Sequence, residues 1–459
     1  MIVAQPGTTT SRPKLSTATI ATTPGQIQVF AIVITLASAM LWAVAQSGIA
    51  SMGHSIQTIG KDTVPSIVAA EKIRASLADM DANAANCFFS QGTREARAAY
   101  ETDRHSAADS LVSAANNITY GKEERVPILT MVDGLQGYVG LVETARSKGF
   151  PLGMDALRQS SEQMHTQLLP AAEALDKANF SHLDEIYKTS KEAIPAAKLR
   201  LWVVGLLVLF ALIGLQFYIA VRMKRLITIP VTAAAVVLIG WLLMMGNAIG
   251  AVESDLKTAK EDAFDSVHAL WKTRAVAYDA NADESLYLLE RGSVRTPESG
   301  ATLEQAFKQN VSQIIGPTEP EKILQQVGTG KPNLTGFLGE EMRNITFDGE
   351  KEAAVEVVKT YAAYLSVDEK IRQLETTGNH QQAVELCTGS KVGESNWCFN
   401  QFDKALGKVL DINQKAFDSS IEKSFGDIAG LTIAAPIVSA IIIALVWIGI
   451  LPRLREYRA

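Results

Sequence analysis

Cysteine is scarce, with three residues in a chain of 459. Cys387 and Cys398 are separated by ten residues without a nearby histidine, which falls short of a four-ligand metal site. No metal and no cofactor are expected. Histidine is equally sparse: the six are scattered, with no H-E-x-x-H and no paired arrangement. G-x-S-x-G, the P-loop and the dinucleotide fingerprint are missing as well. The chain is therefore expected not to be an enzyme, and no residue is assigned as catalytic.

The most informative shortage is of charge. Four windows, 27–50, 201–221, 226–252 and 429–451, contain no Asp, Glu, Lys or Arg. Each has the roughly 20 residues that cross about 30 Å of hydrocarbon as a helix. Buried helices of a soluble protein would give apolar runs of only about 10–14 residues. Four transmembrane helices are the natural reading, because a helix satisfies its own backbone within the bilayer. Intramembrane charges of the kind a proton pump needs are absent from these windows. Ala43-Val44-Ala45 is an A-x-A-like triplet that would suit a cleaved signal peptide. The apolar run continues to Ala50 after a long polar leader, which favours an uncleaved anchor.

Short flanks set the orientation. The leader, 1–26, carries Arg12 and Lys14; the hairpin, 222–225, carries Arg222, Lys224 and Arg225; the tail, 452–459, has Arg453, Arg455 and Arg458 against Glu456. An even number of spans puts all three on one side, and their basic bias makes it cytoplasmic. Together they hold +7, so with the chain at −6 the remainder holds −13. That acidity lies in 51–200 and 253–428, which are expected outside a plasma or inner membrane, with both termini cytoplasmic. So small a cytoplasmic side has no room for a kinase, cyclase or response domain. Arg222, Lys224 and Arg225 are its expected contacts for a partner, and lipid surrounds the spans.

Both outer segments read as helical, giving an all-α membrane protein with two duplicated extracytoplasmic bundles. Ile67, Ile73, Leu77 and Met80 recur near a helical period, Gly92-Thr93 and 116–122 are breaks, and 149–153 is a breaker. Helices over 159–178 and 183–200 follow, with Pro195 the expected kink or break. The second segment predicts one long helix over 253–291, then 353–376, 381–386 and 399–424. The Gly-, Pro- and Thr-rich insertion 292–350 between them is expected to hold loops, a short helix and a small hairpin. Lys72-Ile73-Arg74-Ala75 and Lys272-Thr273-Arg274-Ala275 correspond at an offset of 200, while Asp81-Ala82-Asn83-Ala84 and Asp279-Ala280-Asn281-Ala282 correspond at 198. Their shared place in two span–domain–span units predicts an internal duplication.

The same stretch supplies the candidate ligand- or partner-binding residues: Asp79, Asp81, Asn83, Asn86, Asp279, Asn281 and Asp283. Positions three or four apart share a helix face, so Asp79 with Asn83, or Asn83 with Asn86, would present a paired polar edge. Such an edge suits a partner or an amino-acid-like ligand; a solvated face or a buried interhelical polar contact is the plainer reading. Trp271, Tyr278 and Tyr287 fit a core or bundle seam better than a ligand cage. Cys387 and Cys398, placed in an oxidising compartment, are expected to form a disulfide that adds about 3 kcal/mol. Cys87 has no evident partner and reads as a small buried apolar residue. Asn117-Ile118-Thr119 and Asn344-Ile345-Thr346 are glycosylation tripeptides that matter only in a glycosylating host.

Residues 27–225, a span, a helical bundle and a span with Asp62-Thr63-Val64-Pro65 just beyond the first membrane helix, resemble the ligand-binding region of methyl-accepting chemotaxis receptors. Nearly the whole chain resembles the actinobacterial GlnX-like four-span membrane signalling proteins. The run from Trp271 to Ala282 and the turn from Gly393 to Phe399 carry that likeness. It implies a relay from an extracytoplasmic solute-binding protein, sensing amino acids such as glutamine or aspartate, to a cytoplasmic signalling protein, a Ser/Thr kinase. The leading expectation is a non-enzymatic sensor or signal-transducing adaptor. Its alternative is a structural scaffold, or an accessory subunit of an envelope or transport complex. A homodimer would fit a bundle receptor, and no nucleic-acid partner is expected.

Overall fold

A computed structural model describes residues 22–89, 93–149, 151–224, 227–289, 303–317, 322–323, 325–326 and 334–456. The expected breakers Gly92 and Phe150, the leader charges Arg12 and Lys14, Arg225, Arg458 and much of the 292–350 insertion lie outside the described residues. Everything regular among the described residues is helix. The elements are α1 (Thr23–Gln57), α2 (Val64–Phe89), α3 (Arg94–Asn116), α4 (Lys122–Lys148), α5 (Met154–Gln163), α6 (Leu169–Met223), α7 (Ile229–Lys257) and α8 (Asp265–Leu289). They continue as α9 (Leu303–Ile315), α10 (Phe337–Asn344), α11 (Glu350–Thr376), α12 (His380–Thr388), α13 (Ser395–Ile428) and α14 (Leu431–Glu456). Widened π-helical turns at Thr58–Thr63, Met164–Leu168 and Thr258–Phe264 join α1 to α2, α5 to α6 and α7 to α8.

Two expectations change here. Pro195 does not interrupt α6, which runs unbroken for 55 residues; proline removes one amide donor, and the neighbouring turns hold the helix. No hairpin of strands occurs among the described residues of the insertion, which contribute α9 and α10 instead.

The described residues fall into two compact units. The first draws on the described residues of 22–54, 190–253 and 425–456. It contains the apolar stretches of four helices long and apolar enough to cross a membrane. On α1 the buried positions Ile27, Ala31, Ile34, Ser38, Leu41 and Ala45 recur every three or four residues, while Val29, Ile32, Val33, Leu36 and Met40 are exposed. In water that outer stripe would be an unfavourable apolar surface; against lipid it is matched. A Cβ on Gly205 would come within 2.4 Å of the Leu242 side chain, so a small residue lets α6 approach α7. Trp447 Nε1 donates to Thr35 Oγ1 at 3.2 Å, closing α14 on α1. Lys224, after α6, has φ +51, the one left-handed non-glycine among the described residues.

The second unit is formed by Ser55–Thr189 together with Ser254–Ser424, so both outer segments share one compact body. Its centre is α2, which packs against α3 and, from the other segment, α8; α9 and α10 lie on α8. The two long helices are widened at corresponding places. At Thr58–Thr63 the Asp62 carbonyl accepts from Asn117 Nδ2 at 3.0 Å and from Ser66 Oγ at 2.9 Å. At Thr258–Phe264 the Glu261 and Asp262 carbonyls both accept from Asn344 Nδ2 at 3.0 Å, and Ser266 Oγ accepts from it at 3.1 Å. A π-turn displaces carbonyls from the regular ladder, and a buried carbonyl needs a donor. Each asparagine fills that need, and each glycosylation tripeptide is therefore structural. After each, a buried glutamate caps the next two amides: Glu124 Oε2 accepts from Thr119 and Tyr120, Glu350 Oε2 from Thr346 and Phe347. Gly60 stands where α13 comes closest, since a Cβ there would meet Ile421 at 2.5 Å.

The expected Cys387–Cys398 disulfide is not formed: all three cysteines are buried thiols outside any disulfide. Cys387 Sγ faces Ser285 Oγ at 3.9 Å. Polar contacts close the intervening turn instead. Glu394 Oε2 accepts from the Lys391 amide at 2.6 Å, and Asn396 Nδ2 donates to the Thr388 carbonyl at 3.0 Å.

Candidate functional site

The sequence-selected polar residues divide between two surroundings. Asp79 and Asn83 share one face of α2 as their spacing requires, and Asn83 Nδ2 donates to Asp79 Oδ1 at 2.9 Å and to Asp103 Oδ2 of α3 at 2.8 Å. Burial, then the Asp103 charge, pushes the Asp79 carboxyl well above the usual range, and burial lifts Asp103 to about 6. Two carboxylates held on one amide share a proton more readily than they carry two full charges.

Asp81 and Asp279 with Asp283 form the second surrounding. Tyr138 Oη donates to Asp81 Oδ1 at 2.9 Å and Ser161 Oγ to Asp81 Oδ2 at 3.0 Å. His165, in the Met164–Leu168 turn, stands 3.6 Å from Asp81 Oδ2 and 3.6 Å from Asp279 Oδ1. Asn310 Nδ2 of α9 donates to Asp279 Oδ2 at 3.1 Å and Asp283 Oδ2 at 3.0 Å. Burial alone would lower the His165 pKa, but Asp279, Asp81 and Asp283 outweigh it and raise it to about 10. This cluster is an interhelical tie between the segments. Asn86 and Asn281 belong to the same seam: Ser285 Oγ donates to Asn86 Oδ1 at 3.1 Å, and Asn281 Nδ2 reaches Tyr364 Oη at 3.5 Å.

Of the selected residues, Asp79 lines an open cavity among the described residues. Two cavities of about 690 and 630 Å³ share Lys72, Asp109, Ser110, Trp271 and Arg274, and so form one groove along α2, α3 and α8. Trp271 lies under two cations, with Lys72 Nζ 5.8 Å and the Arg274 guanidinium 5.2 Å from its ring. Arg274 is anchored to Asp403 of α13 at 2.6 Å. Asp79, Asp103 and Tyr278 line the other end. Cation–π contact keeps both positive groups near the tryptophan, and the acids lie along the same wall, so the groove presents both charge signs across an aromatic floor. Tyr278 also stacks edge-on against Phe399, with centroids 4.9 Å apart. Tyr287 is buried beneath Arg372, as a seam residue should be.

Sequence reasoning missed Lys72, Asp103, Asp109 and Arg274 as groove residues and treated Trp271 as core. The signal available was the Lys-x-Arg-Ala correspondence itself, one copy of which follows Trp271 directly. Of the basic hairpin, Arg222 closes α6 and Lys224 follows it, while Arg225 lies outside the described residues.

No curated protein and no solved structure matches the chain. Residues 55–188 match the family model described as an actinobacterial sensor domain, a stretch that runs from the last turn of α1 into α6 and supplies Lys72, Asp79, Asp103 and Asp109 of the groove, and the match fits a sensor protein.

Proposed function

We propose that the chain is a transmembrane sensor whose outer unit binds a small solute bearing both an ammonium and a carboxylate, an amino acid being the simplest example. The observation that carries this reading is the groove. Lys72 and Arg274 offer a carboxylate two charged donors beside Trp271, and Asp79 with Asp103 offers an ammonium two acceptors. Burial favours a proton on the acid pair in the absence of ligand, and the ligand's ammonium takes its place. The sensor-domain match over 55–188 supports a sensing role.

The corresponding π-turns, asparagines and capping glutamates support an internal duplication of the two outer segments. α1, α6, α7 and α13 each continue through a residue at which the units divide. In this reading such helices carry a small shift to the basic cytoplasmic hairpin at Arg222 and Lys224, where a signalling partner responds. A solute-binding protein outside would be one source of the ligand.

The test is a thermal-shift screen of the full chain in lipid nanodiscs against the common amino acids. A stabilising amino acid whose effect is lost in both Arg274→Ala and Asp79→Asn supports the groove. No stabilisation by any of them, or an effect unchanged by both substitutions, rejects it.

A further inference from the structure

Away from the groove, Glu71 of α2, Asp176 of α6 and His268 of α8 converge from three helices. One potential ligand atom from each lies within 4.8 Å of the others. All three side chains are buried, Glu71 being 1% exposed, Asp176 3% and His268 7%. His268 Nε2 is 3.0 Å from Asp176 Oδ1. Its ring is held by stacking on Phe180 at 4.3 Å and Phe264 at 5.9 Å, so the imidazole is oriented before any ligand arrives.

A histidine–aspartate pair would account for two members of the cluster. The third, Glu71, faces the Asp176 carboxyl, and neither of its oxygens receives a hydrogen bond from a donor. A carboxyl enclosed in this way has lost its water without gaining a donor, which is costly unless a cation or proton supplies what is missing. Arg74 and Lys272 act on Glu71 through their charges without hydrogen-bonding it, and Lys272 Nζ, 30% exposed, stands 3.9 Å from Asp176.

We propose that Glu71, Asp176 and His268 form a site for a divalent transition-metal ion of the zinc type. One imidazole nitrogen and two carboxylate oxygens are a borderline donor set suited to such an ion. Ligands about 2.0 Å from a tetrahedral ion stand about 3.3 Å apart, close to the separation His268 and Asp176 already keep. Three protein ligands leave a fourth position. His268 and Lys272 line a cavity of about 600 Å³, through which ion and water enter. In binding, His268 turns its Nε2 lone pair to the ion and holds its proton on Nδ1. Because Glu71 and Asp176 belong to one outer segment and His268 to the other, the ion joins the two.

The experiment is zinc chloride titration of the chelator-stripped full chain in nanodiscs, followed by calorimetry and by metal analysis after desalting. The expected result is one zinc per chain, with affinity at least tenfold weaker in Glu71→Gln and in His268→Ala. Zinc also raises the melting temperature of the wild type and leaves that of Glu71→Gln, which keeps the side chain's shape, unchanged. Failure to retain zinc, or equal retention by both variants shown to be helical by circular dichroism, overturns the site. Because none of the three residues lines the groove, its failure leaves the solute-binding reading standing, and the reverse holds as well.

Discussion

His165 Nδ1 stands 3.6 Å from Asp279 Oδ1, a contact from the first outer segment to the second. With Asp81 3.6 Å away on α2 and Asp283 nearby on α8, the imidazole is held as a cation, its pKa raised from the ordinary 6.5 to about 10. A raised histidine pKa stabilises the fold fully below 6.5 and loses that contribution as pH climbs through about 10. The melting temperature of wild type should therefore exceed that of His165→Asn at pH 6–7, with the difference shrinking as the pH approaches about 10. A difference that does not change over this range would contradict the assignment.

Asn117 and Asn344 each supply donors to carbonyls that a π-turn has displaced. Replacing either by alanine should cost about 1–3 kcal/mol, the range for leaving a buried acceptor unpaired. The two networks have no residue in common, so the double variant should lose close to the sum. Thermal or denaturant unfolding of the single and double variants checks both statements, and losses below about 0.5 kcal/mol would contradict the capping role.

All three cysteines should be alkylated by iodoacetamide after denaturation without reductant, and protected before it, since each is buried. Mass spectrometry reads this directly. A peptide in which Cys387 and Cys398 remain joined would contradict the free-thiol arrangement.

Solute binding at the groove should strengthen as pH rises from about 5 to about 7, because an ammonium must displace the proton that burial keeps on Asp103 up to about 6. Asp103→Asn should flatten that dependence. An affinity independent of pH in the wild type would mean that the acid pair does not face the ligand.

The membrane stretches and most helices were legible because their signals are local. A run of 20 uncharged residues, or Gly149-Phe150-Pro151, constrains the chain wherever it sits. Of the kink or break expected at Pro195, the break does not occur, because a proline's lost amide can be absorbed within a long helix. The Cys387–Cys398 expectation failed on orientation: spacing gives the loop length but not that Cys387 turns toward Ser285. The asparagine of each Asn-Ile-Thr tripeptide looked like a surface acceptor, whereas its role depends on a π-turn more than 50 residues earlier. Glu71, Asp176 and His268 were invisible for the same reason. Each is an ordinary helical residue until α2, α6 and α8 bring them together.

The groove's recognition of two opposite charges on one solute is the central claim, and one calorimetric comparison addresses it. An amino acid found to stabilise the chain is titrated into the full protein in nanodiscs beside its decarboxylated amine and its deaminated acid. The account predicts measurable binding of the amino acid and affinities at least tenfold weaker for both analogues, because each leaves one end of the groove unpaired. Equal binding of either analogue would contradict it.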